Sequence, residues 1–151
     1  MLLSALGVLA AVIGFTKQLD FGWLARAFLP PSPAIVYWGL GLVLGGIGFA
    51  VWARLYLGGN WSATIEVKEN HTLVMSGPYA LVRHPIYSGI MLALLGTAVA
   101  YREVRLLVTD GLFLLMFGAR AHIEERFMTD EFGLEYSEYK KRVKALIPFV
   151  W

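Results

Sequence analysis

A long apolar run from residue 34 to residue 56 is the clearest pattern in the chain. It contains 23 residues, of which only Arg54 is charged, and it follows directly on Pro33. A helix of this length covers roughly 34 Å, enough to cross a hydrocarbon core of about 30 Å. The run therefore predicts a membrane-spanning helix that begins after the proline break. Gly41 and Gly45 form a G-x-x-x-G pattern within it, which predicts close approach of a neighbouring helix.

Three further apolar segments predict membrane helices. Residues 2–29 are largely apolar, with Lys17, Asp20 and Arg26 as the charged exceptions, and predict one tilted or broken helix. Residues 86–101 and 104–119 are separated by two charged residues and predict a tight helical hairpin. We expect its second helix to continue to about Phe127. The pattern thus predicts an all-α integral membrane protein with about four transmembrane helices.

The polar end of the chain has a different period. Beyond residue 130, apolar side chains recur at intervals of four, three and four, at Phe132, Tyr136, Tyr139 and Val143. This spacing places them on one face of a helix, and lysines flank the face. The pattern predicts an amphipathic C-terminal helix that lies at the membrane surface, attracted to anionic lipid.

Composition agrees with placement in a membrane. Hydrophobic residues make up 58% of the 151 and charged residues 16%, against roughly 45–50% and about 25% in soluble domains. A compact body of this size cannot hide that much apolar surface from water, so we expect lipid to cover part of it. The absence of cysteine excludes a disulfide framework, a thiolate metal site and a cysteine nucleophile. A net charge of +2 gives no reason to expect nucleic acid as a partner.

The distribution of lysine and arginine predicts the orientation. If the connection between residues 54 and 83 shares one side of the membrane with the C-terminal tail, that side holds nine of the 13 basic residues. Cytoplasmic segments carry the excess of positive charge. We therefore expect a multi-pass protein whose polar loops and C-terminus face the cytoplasm.

Two polar stretches on that side carry candidate chemistry. The loop from residue 58 to residue 89 contains His71, Tyr79, His84 and Tyr87, and the later helix carries Arg120 and Glu124 one turn apart. The spacing alone is equally compatible with two simpler interpretations. The loop side chains would only extend to the membrane surface, and Arg120 and Glu124 would form an ordinary i, i+4 ion pair. The three histidines show no metal-ligand spacing, so no metal site is expected.

A series of short motifs, taken together, is specific. They are N-W-S (60–62), H-T-L-V (71–74), S-G-P-Y (76–79), R-H-P-I-Y-S-G (83–89), R-x-x-x-E-E (120–125) and F-G-x-E-Y-x-x-Y-K-K-R-V (132–143). In this order the chain resembles the isoprenylcysteine carboxyl methyltransferase family over residues 59–148. Members of that family are small integral-membrane enzymes that use S-adenosylmethionine. The resemblance implies one membrane methyltransferase domain over residues 1–151, with N-terminal membrane helices in 1–57 and a catalytic region in 58–151.

The resemblance also implies roles for individual residues. Arg120 matches the position that binds the methyl-accepting substrate, and with Glu124 it forms the implied catalytic pair. Eukaryotic members have a glutamine contact where this chain has Thr64, so a cofactor role there is not implied. The positions that match cofactor-binding residues are His71, Thr72, Leu73, Val74, Tyr79, His84, Pro85, Ile86, Tyr87 and Glu124.

The residue chemistry is compatible with these roles. S-adenosylmethionine carries an ammonium group, a carboxylate and a flat adenine. Glu124 can pair with the ammonium group, the histidines and tyrosines can donate hydrogen bonds, and Leu73 and Val74 can line an adenine slot. A carboxylate acceptor is ionised at neutral pH and needs alignment rather than a base, and the planar guanidinium of Arg120 can supply that alignment.

The favoured hypothesis is methyl transfer to a hydrophobic or lipid-tailed acceptor, above all carboxyl O-methylation of an isoprenylcysteine-like or other prenylated acid. Methylation of an amine or phospholipid headgroup is the nearest competing hypothesis and would need a base, for which His122 is the candidate. An NADPH-dependent reductase of the sterol type is a third hypothesis, and a membrane scaffold without catalysis is a fourth. Membrane lipid is an expected partner under each of these hypotheses.

Overall fold

The fold is helical throughout the part of the chain that the structure describes. A computed structural model describes residue 14, residues 22–58 and residues 72–148. Their regular elements are α1 (Pro33–Leu57), the short 3-10 helix η1 (Gly77–Ala80), α2 (Pro85–Tyr101) and α3 (Val104–Arg142). The only β-type pairings within these residues are two isolated bridges. The predicted all-α class is therefore confirmed.

Two helices are long and apolar enough to cross a membrane, namely α1 with 25 residues and α3 with 39. The predicted run from 34 to 56 agrees with α1 to within one residue at each end. Helix α2 is apolar but has only 17 residues. Most of residues 2–29, which the predicted count of four helices included, lie outside the described residues.

The surface of α1 is apolar and largely uncovered. Tyr37, Trp38, Leu44 and Leu55 are each more than 60% exposed. Only 11% of its most apolar stretch is buried inside the protein, so α1 is not the core helix of a soluble domain. An uncovered apolar face of this length is the surface that lipid covers in an integral membrane protein.

The chain divides into two compact units. One comprises residues 1–45 and 91–114, and the other comprises residues 46–90 and 115–151. Each of the three helices contributes residues to both units. The candidate site residues, which include Tyr87, Arg120 and Glu124, belong to the second unit.

In the first unit, the non-helical segment of residues 22–29 lies beside the start of α3. Val104 donates its backbone N–H to the carbonyl oxygen of Arg26 at 3.1 Å. Arg105 does the same to Leu24 at 2.9 Å. The first N–H groups of a helix lack acceptors within the helix, and these carbonyls supply them. The expectation of helix as far as residue 29 is thus wrong for residues 22–29, which form turns and a bridge.

Glycines allow close helix contacts, but not at the predicted G-x-x-x-G pair. A Cβ atom on Gly39 would lie 2.6 Å from the backbone nitrogen of Ala100 in the first unit. In the second unit, a Cβ atom on Gly89 would lie 2.6 Å from the carbonyl oxygen of Gly46. Gly41 and Gly45 meet no such neighbour among the described residues. The packing within the chain uses another face, because Gly39 and Gly46 lie seven residues apart, close to two turns, on one side of α1, and packing of Gly41 and Gly45 between chains stays a prediction.

Helix α3 extends further than the sequence suggested. It was expected to end near Phe127 but continues to Gly133, where φ is 53° and ψ is −119°. This left-handed φ suits glycine and interrupts the helix before it resumes to Arg142. The early end was wrong because the polar residues between 127 and 133 include no helix breaker before the glycine.

Candidate functional site

Three parallel rings form the centre of the polar site in the second unit. The ring of Tyr87, in the first turn of α2, stacks on His84 with centroids 5.6 Å apart and planes 9° apart. On its other face it stacks on Phe117 of α3, at 4.7 Å and 5°. Tyr87 and Phe117 are both buried. The stack restricts the tyrosine ring and thereby fixes where its hydroxyl group points.

The Tyr87 hydroxyl joins the two predicted catalytic residues. It donates a hydrogen bond to Glu124 Oε1 at 2.6 Å and accepts one from Arg120 Nε at 2.9 Å. Arg120 Nε also lies 2.9 Å from Glu124 Oε1, as the i, i+4 spacing predicted. The Arg120 side chain remains 43% exposed, so it can reach a further group.

His84 lies between two carboxylates. Its Nδ1 is 3.5 Å from Glu124 Oε2, and its Nε2 is 3.3 Å from Glu125 Oε1. Burial by itself lowers the pKa of His84, but hydrogen bonds and proximity to both carboxylates outweigh it and raise that pKa. The site therefore favours the protonated imidazole, which donates from both nitrogens.

Glu125 is buried and has partners for both oxygens. Arg83 Nε donates to Oε1 at 2.7 Å, and Lys140 Nζ lies 3.0 Å from Oε2. Burial raises the pKa of Glu125, but hydrogen bonds from His84, Lys140 and Arg83 lower it to about 2. Glu125 is thus an anchor for three cationic side chains that stays ionised at neutral pH.

Arg83 also connects α2 to the C-terminal segment, residues 139–146. Its Nη1 donates to the carbonyl oxygens of Lys140, at 3.3 Å, and Val143. Its backbone N–H donates to Lys144 O at 2.8 Å, and Ser88 Oγ donates to Leu146 O at 2.6 Å. Only Lys140 O belongs to the last turn of α3, whose final carbonyls lack partners within the helix, and the other three acceptors lie beyond the helix end at Arg142.

The amphipathic stripe of the C-terminal helix packs on the protein. Tyr136 and Tyr139 are each only 3% exposed, and the Tyr139 hydroxyl donates to the carbonyl oxygen of Tyr79 at 2.6 Å. The expectation that this face rests on the membrane surface is therefore wrong for these two tyrosines. Apolar side chains at intervals of three and four residues form one face of a helix, and such a face can pack either on lipid or on protein.

Tyr79 lies in η1, beneath α1. Its ring is buried, and its hydroxyl lies 3.5 Å from the carbonyl oxygen of Ala53. Burial is the main cause that raises the pKa of Tyr79 to about 12, and the nearby Glu124 carboxylate adds to it. The turn before it needs Gly77, whose φ is 60° and whose Cα faces the Tyr56 ring.

The remaining predicted cofactor residues lie along the same stretch of chain. Pro85 is fully buried at the start of α2. Thr72, Leu73 and Val74 belong to a segment without regular secondary structure before η1, and Ile86 is half-buried. His71 and Thr64 lie outside the described residues, and so does the N-W-S motif. The cofactor role of all these residues stays a prediction.

Sequence reasoning missed Phe117 and understated Arg83 and Glu125. Arg83 and Glu125 stood inside the recognised motifs, so the motifs themselves were the available signal. Phe117 carried no motif, but it lies three residues before Arg120 and so shares its helix face. Among the described residues, no group of three or more metal-ligating side chains is placed to hold a metal ion.

The geometry is therefore a carboxylate and a guanidinium joined by one hydroxyl, beside an aromatic stack. The family model for phospholipid methyltransferases matches residues 34–135, which contain all of these side chains. The chain belongs to this family. Within the family, the resemblance to isoprenylcysteine carboxyl methyltransferases is also confirmed by individual relatives.

The relatives carry two kinds of name. The chain is 33% identical over 143 residues to the cobalt-zinc-cadmium resistance protein CzcN of Cupriavidus metallidurans, which covers 93% of this chain and 58% of that protein. It is 36% identical to the protein-S-isoprenylcysteine O-methyltransferase of Homo sapiens, over 92% of this chain and 51% of the human protein. Protein-S-isoprenylcysteine O-methyltransferase B of Arabidopsis thaliana is 28% identical, over 99% and 72%.

A solved structure shows the same fold. The eukaryotic intramembrane Ras methyltransferase ICMT superposes with a TM-score of 0.72 at 28% sequence identity. The match covers 78% of this chain and 43% of that one. The chain thus spans about half the length of several of the relatives that it matches.

Proposed function

We propose that this protein is an S-adenosylmethionine-dependent methyltransferase that acts in the membrane on a hydrophobic acceptor. The observation that carries the proposal is the joined set of Tyr87, Arg120 and Glu124 in a chain of this family. Methyl transfer from a sulfonium is an in-line displacement on an activated carbon, so the protein must bind and align two molecules. A set with one anion and one accessible cation suits that task.

The donor set fits the cofactor. Burial raises the pKa of Glu124, but hydrogen bonds from His84, Tyr87 and Arg120 outweigh it and lower that pKa. An ionised, half-buried carboxylate is the partner that the ammonium group of S-adenosylmethionine requires. The bound cofactor supplies a methyl group on a positively charged sulfur. Tyr79, His84 and Tyr87, with the half-buried Leu73 and Val74, would contribute donors and apolar walls around it.

Arg120 is the residue that we assign to the acceptor. Its guanidinium is held by one nitrogen to Tyr87 and Glu124, and its exposed part can pair with a carboxylate. Sharing its charge with Glu124 weakens its hold on an acceptor carboxylate, which keeps the acceptor nucleophilic. We therefore propose carboxyl O-methylation of a lipid-tailed acid, of the isoprenylcysteine type that the names of several relatives specify.

The family name favours a second candidate, methylation of a phospholipid amine. An amine must lose a proton before it attacks, so this reaction needs a base near neutral pH. His122, the candidate from the sequence, lines a cavity with Glu125 and Lys140 rather than joining Tyr87 and Arg120. This placement favours the carboxylate acceptor. None of the relatives named above is a reductase, which leaves the NADPH hypothesis without support.

The first test is calorimetric titration of the detergent-purified protein with S-adenosylhomocysteine. We expect saturable binding that Glu124→Gln weakens at least about tenfold, because the change removes the charge opposite the ammonium group. Glu138→Gln is the matched control, since Glu138 is an exposed carboxylate on the same helix that pairs only with its own turn among the described residues. Equal affinities in the wild type and Glu124→Gln would refute the cofactor assignment.

The acceptor assignment needs its own measurement. We expect Arg120→Gln to leave S-adenosylhomocysteine affinity within about twofold and to raise the KM for a farnesylcysteine-type acid at least about tenfold. A phosphatidylethanolamine acceptor tested in parallel distinguishes the two candidate reactions. Methylation of the amine lipid alone would replace the carboxylate proposal with the phospholipid one.

A further inference from the structure

A second polar recess lies on another face of α3. It is a cavity of about 310 Å³ whose charged lining comes from Arg83, His122, Glu125, Lys140 and Lys144. Small and apolar side chains of α3 and of the C-terminal segment complete the wall. A volume of this order is at the lower end of the range in which proteins bind small ligands and headgroups.

This cavity adjoins the proposed methyl-transfer site through Glu125, which contacts His84, but it does not contain the residues assigned to methyl transfer. None of its lining residues is among the cofactor positions or is Arg120. Glu124 and Glu125 are consecutive on α3, so their side chains point about 100° apart around the helix. Glu124 faces Tyr87, whereas Glu125 forms part of the cavity wall.

The charges of the cavity favour an anion. Three lysine or arginine side chains line it against one carboxylate. That carboxylate is already occupied, since Arg83 and His84 contact its Oε1 and Lys140 contacts its Oε2. Lys144 is exposed and makes no ion pair with the described residues. An anion that enters would therefore meet uncompensated positive charge.

The position of the cavity along α3 indicates where this anion comes from. Gly118 lines the wall and belongs to the last turn of the apolar run 104–119, while Lys140 and Lys144 belong to the polar end of the chain. The cavity thus spans the change from apolar to polar surface. Basic recesses at this level of a membrane protein bind the headgroups of anionic lipids.

We propose that this cavity binds the phosphate group of an anionic phospholipid, with Lys144 and Lys140 as its cationic ligands. The acyl chains would leave past the apolar side of the cavity, next to Ile147, which is 44% exposed. A lipid bound here would hold residues 140–146 against Arg83 and His84, whose backbone N–H groups donate to Lys144 O and Ala145 O. The proposal does not depend on the methyltransferase activity, because it concerns binding alone.

The test is native mass spectrometry of the full-length protein, released from detergent micelles after titration with phosphatidylglycerol. We expect one lipid retained with saturable binding, and about tenfold weaker binding for Lys144→Met. Lys141→Met is the matched control, because Lys141 is an exposed lysine three residues before Lys144 and pairs with Glu138 outside the cavity. We expect it to change the affinity less than about twofold.

Several outcomes would overturn the proposal. Equal losses in Lys144→Met and Lys141→Met would mean attraction to the general surface charge. Equal binding of phosphatidylcholine would mean that the anionic headgroup is not recognised. Inorganic phosphate that binds as tightly as the lipid, with the same dependence on Lys144, would make the ligand free phosphate. Recovery of lipid binding in Lys144→Arg would support a cationic ligand, and its failure with the fold intact would count against one.

Discussion

Two adjacent carboxylates of α3 carry out different tasks because one residue step turns the helix by about 100°. Glu124 meets a hydroxyl and an accessible guanidinium, so it can exchange partners with a ligand. Glu125 is buried between Arg83, Lys140 and His84, so it serves as a fixed anchor. His84 contacts both and couples the exchangeable site to the rigid one.

The double contact of His84 predicts a pH-dependent stability. The folded pKa of His84 is raised above the unfolded value of about 6.5, so its contribution is complete below pH 6.5 and is lost as pH rises through the folded pKa. We expect the stability difference between the wild type and His84→Gln to be greatest near pH 6 and to shrink towards pH 9. Thermal unfolding in detergent across this range measures it.

The control for this profile is His122→Gln, which removes an exposed histidine of α3. We expect it to lower the unfolding temperature less than His84→Gln does at pH 6, because the His122 side chain is exposed and does not lie between two carboxylates. The Glu125 contribution does not interfere, since its pKa is lowered to about 2 and its stabilisation is lost only as pH falls from about 4.5 towards 2. A difference for His84→Gln that grew with pH would contradict the assignment of a protonated imidazole.

At the level of the elements, short-range sequence patterns predicted where the helices lie better than they predicted which residues of neighbouring helices are in contact. The bounds of α1 follow from an apolar run and a preceding proline, both of which are local in sequence. The partner of each glycine face is not local. A G-x-x-x-G pair indicates a smooth face, but the face that packs here carries Gly39 and Gly46, because the small residues on α2 that match it are Gly96 and Gly89.

Gly89 tests this packing directly. A Cβ atom there would lie 2.6 Å from the carbonyl oxygen of Gly46, a backbone atom that cannot move without the helix. We expect Gly89→Ala to destabilise the fold by about 1–3 kcal/mol. Gly45→Ala is the control, since its Cβ meets no neighbour among the described residues, and alanine favours a helix by up to about 1 kcal/mol. Chemical unfolding in mixed micelles measures both, and a reversed order would refute the contact.

The C-terminal segment is a second case in which the sequence predicted a helix but not what the helix packs against. The stripe at Tyr136 and Tyr139 predicted a helix with one apolar face, and the helix exists. The sequence did not reveal that the face packs on protein, because the bond that shows it joins the Tyr139 hydroxyl to the carbonyl oxygen of Tyr79, 60 residues away. The motifs thus identified the polar site residues, while the groups that fix their positions required the fold.

The contacts of Arg83 allow a prediction of how stably the C-terminal segment, residues 139–146, is bound to the rest of its unit. Its guanidinium binds Glu125 through Nε and two backbone carbonyls through Nη1, and the single nitrogen of a lysine cannot occupy both positions. We expect Arg83→Lys to cost about 2 kcal/mol and to speed amide hydrogen exchange in residues 139–146. Arg142→Lys is the control, since Arg142 is exposed and contacts only Glu138 O among the described residues. Unchanged exchange in Arg83→Lys would mean that the backbone bonds alone hold the segment.

For the molecule as a whole, the property with the greatest consequence for function is which parts face the cytoplasm. Under the proposed function, a water-soluble cofactor would reach Glu124 from that side, while a lipid-tailed acceptor would arrive within the bilayer. The count of basic residues predicts that the C-terminal tail lies there and the turn after α2 on the opposite side. Helix α2 has 17 residues, close to the minimum for a span.

The absence of native cysteine makes this arrangement testable with single introduced thiols. Lys141→Cys would report the tail and Tyr101→Cys the turn, since both native side chains are well exposed. We expect a membrane-impermeant maleimide to label position 101 in intact cells and position 141 only in inverted vesicles. Labelling of both from one side would mean that α2 does not cross the bilayer. In that case the proposed cofactor and acceptor would both have to reach the polar site from the same side of the membrane. The acceptor would then need a route other than entry between membrane-spanning helices.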